Sequence, residues 1–353
     1  MRDRDTETRG VPAQGVGGDA ERHDVSASPC RRVSASPVSP PLPPADEIYT
    51  AAWKRRIHDY FFHGAQFSAA AGYWAFDFER QWAKHRTAVA RELMLVERLG
   101  RWMPSTTTTT TTMSTWCPTW CLGRRVLVMG SWLGAEAIAY ALCGAEVTAI
   151  DLDGEALRLS AELAARYGTS IQTAEMDASA TTLPAGHFDL VSCSQVIEHL
   201  PPDRQPALLA EMWRLCRAGG LLWLDTPNQF AICDQHDTGL YFAHWLPRAL
   251  KTRLARWLRR DVPTREPGFG YQAVGLHYYL SYFALLRILR RLGPLEVLSR
   301  YRGFADVAHY AAGRRHEGRA GPLFPLKLAV LRAVMRVWNF NWMNDIRLVV
   351  RKG

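Results

Sequence analysis

Residues 122–230 predict an α/β fold built on an open, mostly parallel sheet. Three observations predict it. Short apolar runs that end in glycine, aspartate or serine alternate with helical patterns that close on glycine. The connections between these segments are short, and no internal repeat breaks the rhythm. Strand–helix alternation of this kind places helices over a sheet whose strands run the same way, because each parallel crossover needs a helix-length return.

The elements follow in chain order. Residues 1–45 are rich in Pro, Ser, Gly and alternating charges, with almost no large apolar side chain, so this tail is expected to be disordered: it buries too little to offset the entropy of ordering. Residues 46–103 are expected to form a helical lid. Ile48, Trp53, Ile57, Tyr60 and Phe61 recur at helical spacing, as do Val89, Leu93, Val96 and Leu99. The aromatics between them (Phe67, Tyr73, Trp74, Phe76, Phe78) suit either a core or the cover of a pocket. Residues 104–121, with the run PSTTTTTTTMST, read as a low-complexity linker. In the segment 122–230, RRVLVMG, EVTAID, IQTAEMD, FDLVSCS and LLWLDTP read as five strands. AEAIAYALCG, GEALRLSAELAARYG and PALLAEMWRLCRAGG read as helices closing on glycine. Residues 231–353 hold insertions and final strands: helices at Ala249–Arg259, SYFALLRILRRLG and Leu326–Val337, a loop DVPTREPGFGYQAVG, and strands in PLEVLSRYRG and IRLVVRK.

Composition narrows the function classes. With 353 residues and 48% apolar side chains, the chain can bury a sizeable core. No run approaches the roughly 18 uninterrupted apolar residues of a membrane-spanning helix. The opening MRDRDTETRG lacks the apolar stretch of a secretory leader, so a cytoplasmic protein is expected. Seven scattered cysteines suit a reducing compartment rather than a disulfide scaffold, and Cys117 and Cys121 have no second pair to complete a zinc site. The net charge of +9 is unevenly spread. From Tyr241 onward there are 21 Lys and Arg against 6 Asp and Glu, a local balance of +15, which leaves −6 for the first 240 residues.

Each predicted strand end carries polar candidates, and in an open parallel sheet ligands bind beyond those ends. The first strand ends in Gly130, Ser131, Trp132, Leu133 and Gly134 and opens a helix. Glycines there let backbone approach a ligand, and the helix start offers free amides. The second ends in Asp151 and Leu152, about twenty residues on, where a carboxylate can accept both hydroxyls of a ribose. The third ends in Asp177 and Ala178, and the fourth in Ser194 and Gln195, followed by Glu198, His199, Leu200, Pro201 and Pro202. One such feature is common; four in order are not.

On these residues the chain resembles the class I S-adenosylmethionine-dependent methyltransferases, most closely the small-molecule group that includes the ubiquinone-biosynthesis O-methyltransferases. The resemblance covers Arg124 to Asn228: VLVMGSWLG for the glycine-rich motif, VTAIDLDGEAL for the ribose acid, AEMDASATTLP for the adenine-side acid, GHFDLVSCSQVIEHLPP and RAGGLLWLDTPN for the fourth and fifth strands. It implies a Rossmann-like, seven-stranded sheet with an antiparallel last strand, the final pair falling at LEVLSRY and IRLVVRK. It implies S-adenosyl-L-methionine as cofactor, held by Gly130, Ser131, Gly134, Asp151, Leu152, Asp177, Ala178, Ser194 and Gln195. Three positions depart from the pattern. Val128 stands where the family has an acid near the methionine amine. Trp132 replaces the central glycine, its indole turned either into the cofactor site or outward. Gln195 stands where quinone methyltransferases carry a glutamate of a proposed metal cluster, so no metal is expected.

A hydroxyl acceptor needs its proton removed. The histidines in position are His199, His236, His244 and His277, with His199 nearest the expected reaction centre and His236 and His244 expected at the acceptor. His199 also suits a purely structural role bonding a neighbouring loop. The basic last third suits solvated helix faces, peripheral membrane contact through residues 323–342, where Lys327, Arg332 and Arg336 are read as one side opposite Leu, Val, Met and Trp, or attraction of an anionic or lipid- or sugar-linked acceptor. Nucleic acid is not expected, since no recognition motif accompanies the charge. The reading is methyl transfer to a small-molecule acceptor. Its rival is a binding or scaffold protein that keeps the fold without catalysis, because of Val128 and Trp132. A nicotinamide dehydrogenase is disfavoured, since Gly130-x-x-x-Gly134 is not Gly-x-Gly-x-x-Gly.

Overall fold

Seven strands form a single sheet in the order β3-β2-β1-β4-β5-β7-β6. The strands are β1 (Arg125–Met129), β2 (Glu146–Asp151), β3 (Gln172–Glu175), β4 (Phe188–Ser194), β5 (Cys216–Pro227), β6 (Leu295–Val297) and β7 (Asp345–Lys352). The structure is a computed structural model that describes residues 42–63, 78–103, 119–234, 238, 240–258, 277–299, 311, 321–339 and 341–353. The first five strands pair in parallel, and β7 inserts antiparallel between β5 and β6. This is the mostly parallel sheet with an antiparallel last strand that the sequence predicts. Residues 1–41 of the expected tail, most of the linker, the loop DVPTREPGFGYQAVG, the aromatics Phe67 to Phe76 and the end of LEVLSRY lie outside the described residues, while Ala45, at the end of that tail, already opens a helix.

Alternation along the strands sorts the side chains onto two faces. Val126, Val128, Val147, Ala149 and Trp223 point to one, where they join α2 (Ala51–His63), α3 (Phe78–Leu99), α4 (Ala135–Leu142) and α5 (Gly154–Arg166). Leu127, Met129, Ile150, Cys193 and Leu224 point to the other, with α6 (Gln205–Leu215) and α8 (Tyr282–Leu292). A four-residue α1 (Ala45–Ile48) precedes these, and α7 (Arg248–Leu258) lies between β5 and α8. Trp53, Ile57, Tyr60, Phe61, Val89 and Val96 are buried in the first core, so the N-terminal helices form part of the layer over that face. The last helix, α9 (Phe324–Trp338), packs Phe324, Leu328 and Met335 into a small separate cluster with Ala311.

One boundary differs from the sequence expectation. The run Cys216-Arg217-Ala218-Gly219-Gly220 reads as the glycine end of a helix, yet α6 stops at Leu215 and these residues belong to β5. Register jumps between Phe188↔Cys216 and Leu190↔Leu221, so the extra residues form a bulge, with Gly219 at φ 71°. Asp189 anchors it: its carboxylate accepts from Arg217 Nε at 2.7 Å, Arg124 Nη1 at 3.1 Å and the Arg125 amide at 2.9 Å. Among the described residues, no helix is long and apolar enough to cross a membrane.

Candidate functional site

Strand order reverses at β1 and β4, and the crevice beyond their C-terminal ends is the topological place for a ligand. The glycine turn after β1 is bent by three left-handed residues, Gly130 at φ 70°, Trp132 at φ 46° and Gly134 at φ 78°. The amides of Gly130 and Ser131 both donate to the Ile150 carbonyl, at 2.8 and 3.0 Å, hooking the turn onto β2. Both glycines are needed for packing against protein. A Cβ on Gly130 would stand 2.2 Å from Val196 Cγ2, and one on Gly134 would stand 2.5 Å from Ser160 Cβ. Beside them, Ser131 Oγ is buried with no hydrogen-bond partner. An orphaned hydroxyl at the start of a helix is costly unless something arrives to meet it.

Trp132 occupies a backbone region that costs a non-glycine residue about 1–2 kcal/mol. Three contacts offset this. Its amide donates to Asp151 Oδ2 at 2.7 Å, its indole Nε1 donates to the Tyr60 hydroxyl at 3.0 Å, and its ring meets Phe61 edge-on at 5.8 Å. The indole is thus turned toward α2. From Tyr60 the chain of bonds continues, since its hydroxyl donates to Asp153 Oδ2 at 2.8 Å. Asp153 Oδ1 in turn caps α5 by accepting from the amides of Glu155 and Ala156.

Asp151 is consequently well held. Its Oδ1 accepts from the Asp153 amide at 3.0 Å while Oδ2 takes the Trp132 amide. Burial pushes its carboxyl above the usual value, and the two amides pull it back. Each oxygen keeps a lone pair, the chemistry that ribose hydroxyls require. A cleft of about 580 Å³ opens beside it, lined by Tyr60, Leu152, Asp153, Arg158 and Glu175 among others. Asp177 sits half-exposed beyond β3 with Ala178 following. Its Oδ1 accepts from the Ser179 hydroxyl and amide, and its Oδ2 pairs with exposed Arg204 at 3.0 Å. The Ser179 hydroxyl first, then its amide and Arg204, lower the carboxyl below its usual value.

On the β4 side, Ser194 Oγ accepts from Trp223 Nε1 at 3.1 Å. Gln195, left-handed at φ 58°, donates from its amide to the Asp225 carbonyl and from Nε2 to Asp225 Oδ1. Asp225 pairs with Arg347 at 3.3 Å, and burial holds its carboxyl well above the carboxylate range despite that cation. The next turn, Ile197–His199, carries Glu198, which is fully buried. Its Oε2 accepts from Thr226 Oγ1 at 3.0 Å, and its Oε1 has no partner. Burial, with Asp225 and Asp345 adding repulsion, pushes this carboxyl up to about 8.

His199 comes together with His277, their rings 4.7 Å apart and nearly perpendicular. Buried Gln205 joins the two segments: its Nε2 donates to the carbonyls of Ile197, Leu200 and Tyr278, and the Tyr278 amide donates to the Glu198 carbonyl. His244 lies apart from that pair, its ring 5.3 Å from Tyr279. Tyr279 donates to buried Asp234, which also accepts from Thr238 at 2.8 Å and pairs with buried Lys251 at 3.3 Å. His236 lies outside the described residues. Among the described residues, no three His, Cys, Asp or Glu side chains group as metal ligands.

Four residues escaped the sequence reading: Glu136, Asp225, Gln205 and Arg347. Glu136 stands one turn into α4, accepts from Ser192 and from Tyr140 at 3.3 Å, and is held above its usual pKa by burial and then by Glu92. Ser192 is the β4 partner of Val128, so a carboxyl does reach the strand position where β1 lacks one. A single charge inside the apolar run AEAIAYAL was the available signal, as was the lone acid in LLWLDTP for Asp225. Arg347 and Gln205 gave none, since their importance lies in long-range partners.

Comparison with known proteins bears on the same segment. The family described as "Methyltransferase domain" matches residues 126–220. A ubiquinone biosynthesis O-methyltransferase of Xanthomonas oryzae pv. oryzae (strain PXO99A) is 33% identical over 153 residues, 39% of this chain and 61% of its own length. The corresponding protein of Paracidovorax citrulli (strain AAC00-1) is 39% identical over 113 residues, 31% of this chain and 46% of its own length. The chain thus spans about three fifths, or less, of these relatives. Among solved structures, an S-adenosylmethionine-dependent methyltransferase from Mesorhizobium loti aligns at 16% identity with a TM-score of 0.43, covering 72% of this chain and 95% of that one. Magnesium protoporphyrin IX methyltransferase from Synechocystis PCC 6803 with bound SAH aligns at 14% identity and TM-score 0.44, covering 85% and 100%.

Proposed function

Since residues 126–220 make this chain a member of the class I S-adenosylmethionine-dependent methyltransferases, we propose that it moves a methyl group from S-adenosylmethionine to a small-molecule acceptor. The observation that carries the reading is the ordered set of polar groups at successive strand ends, with the orphaned Ser131 hydroxyl in the turn that opens α4. That hydroxyl, with Gly130 and Gly134 shaping the turn, would hold the amino-acid end of the cofactor. Asp151 and Leu152 would hold the ribose, Asp177 and Ala178 the adenine side, and Ser194 and Gln195 would close the site from β4. When bound, the cofactor supplies an electrophilic methyl group on a sulfonium.

The chain's own part is alignment and proton removal. His199 would take the acceptor's hydroxyl proton, while the bound cofactor would supply the methyl group. His277 and the Gln205 amide hold its segment in place. The relatives are O-methyltransferases, which favours a hydroxyl acceptor; it would be carried on a lipid or sugar, with the segment after β5 as the part of the chain that recognises it. Glu136, bonded to Ser192 beside Val128, would supply the carboxyl that Val128 lacks.

Calorimetric titration of the full chain with S-adenosylhomocysteine tests the reading. Saturable binding well below 1 mM is expected. Absence of binding at about 1 mM, weaker than roughly 4 kcal/mol, would favour the rival in which the fold persists as a scaffold and Trp132 bars the cofactor.

A further inference from the structure

An ordinary surface helix buries its single apolar stripe and turns polar residues to water. Helix α9 does not. Phe324, Leu328 and Met335 face the cluster that holds it in place. On the opposite side, Leu326, Val330 and Val337 are 63, 54 and 76% exposed. At 3.6 residues per turn these three and exposed Ala333 fall within an arc of about 60°. The basic residues do not form the one-sided face read from the sequence. Lys327 flanks the outer ridge on one side, and Arg332 and Arg336 flank it on the other, all exposed. The helix carries no acidic residue. Exposed Trp338 and Trp342 stand at its C-terminal end.

We propose that this outer ridge of α9 docks the protein on an anionic lipid bilayer surface. An apolar ridge sinks into the boundary between headgroups and acyl chains, while the flanking cations lie level with the phosphates, and tryptophans favour that same depth. A second copy fits worse: two such ridges pairing face to face would set Lys327, Arg332 and Arg336 against like charges with no acid on either helix to balance them. A nucleic acid leaves the apolar centre of the ridge unused. The inference needs neither cofactor nor acceptor, so its failure and that of the methyl-transfer reading are separable.

The test is co-sedimentation of the full chain with phosphatidylcholine vesicles, with and without phosphatidylglycerol. Binding is expected to the anionic vesicles, falling with added salt. Replacing Lys327, Arg332 and Arg336 together by Gln, at exposed positions that leave the fold intact, lowers the partition coefficient about 100-fold, about fivefold per residue. Val330→Asp abolishes pelleting while the melting temperature stays that of the parent. Equal pelleting of parent and Val330→Asp, no binding to anionic vesicles at low salt, or a dimer by light scattering that Val330→Asp dissociates would each overturn the proposal.

Discussion

Replacing Glu198 by Gln turns a titrating carboxyl into an amide of nearly the same shape at a fully buried position. The parent carboxyl titrates at about 8 in the folded chain against an ordinary value of 4.5. A raised carboxyl stabilises the fold fully below the lower value and loses that contribution as pH climbs to the higher one. Each pH unit in the window is worth about 1.4 kcal/mol, so the parent loses roughly 3 kcal/mol from this group between about pH 5.5 and 7.5. The Gln variant loses none of it. It can still accept from Thr226, at the place where Glu198 Oε2 does now. Its amide nitrogen then stands where the neutral parent carries its proton on the unpartnered Oε1, so each leaves a donor unsatisfied and the substitution costs little near pH 5. The variant therefore matches the parent near pH 5 and exceeds it by roughly 3 kcal/mol at about pH 7.5. Urea unfolding followed by circular dichroism at half-unit pH steps reads the difference between the two stabilities. If that difference is constant from about pH 5 to 8, burial does not hold Glu198 protonated in the folded chain.

Three further outcomes follow from the same geometry. Gly134→Ala combines a left-handed backbone with a 2.5 Å approach to Ser160 Cβ, so a loss of about 2–4 kcal/mol is expected in thermal unfolding; an unchanged melting temperature would mean the turn relaxes freely. Asp234→Ala takes the carboxylate away from buried Lys251 and should cost about 3–5 kcal/mol, part of it restored by adding Lys251→Met, the rest being the lost bonds to Tyr279 and Thr238. No restoration in the double variant would show that the pair is not the source of the loss. Trp132→Gly removes the strain at φ 46° together with the bond to Tyr60. With the indole turned to α2, affinity for S-adenosylhomocysteine should change less than about threefold; a gain of more than about 100-fold, near 3 kcal/mol, would show that the ring occupies the cofactor's place.

The sequence by itself determined the sheet and its strand ends. Parallel strands buried on both faces are written as short, mostly apolar runs, and RVLVM, EVTAID and FDLVSCS follow that pattern. The turns between them need left-handed residues, which is why Gly130, Gly134, Gly144 and Gly168 mark the boundaries so plainly. Tertiary structure decided what local pattern leaves open. Ala218-Gly219-Gly220 could end a helix or bulge a strand, and pairing with β4 under the Asp189 carboxylate chose the bulge. Trp132 could turn either way, and the Tyr60 hydroxyl, 72 residues away in the chain, set its direction. Glu198 gives no hint of its neutrality until Thr226 and the surrounding core exclude water from it. In α9 both apolar faces are legible, but only packing against Ala311 and Met343 shows which one is left to meet something else. Local pattern is set by backbone sterics and the exclusion of water from whole segments; charge state, side-chain direction and free surface depend on which distant groups arrive beside them.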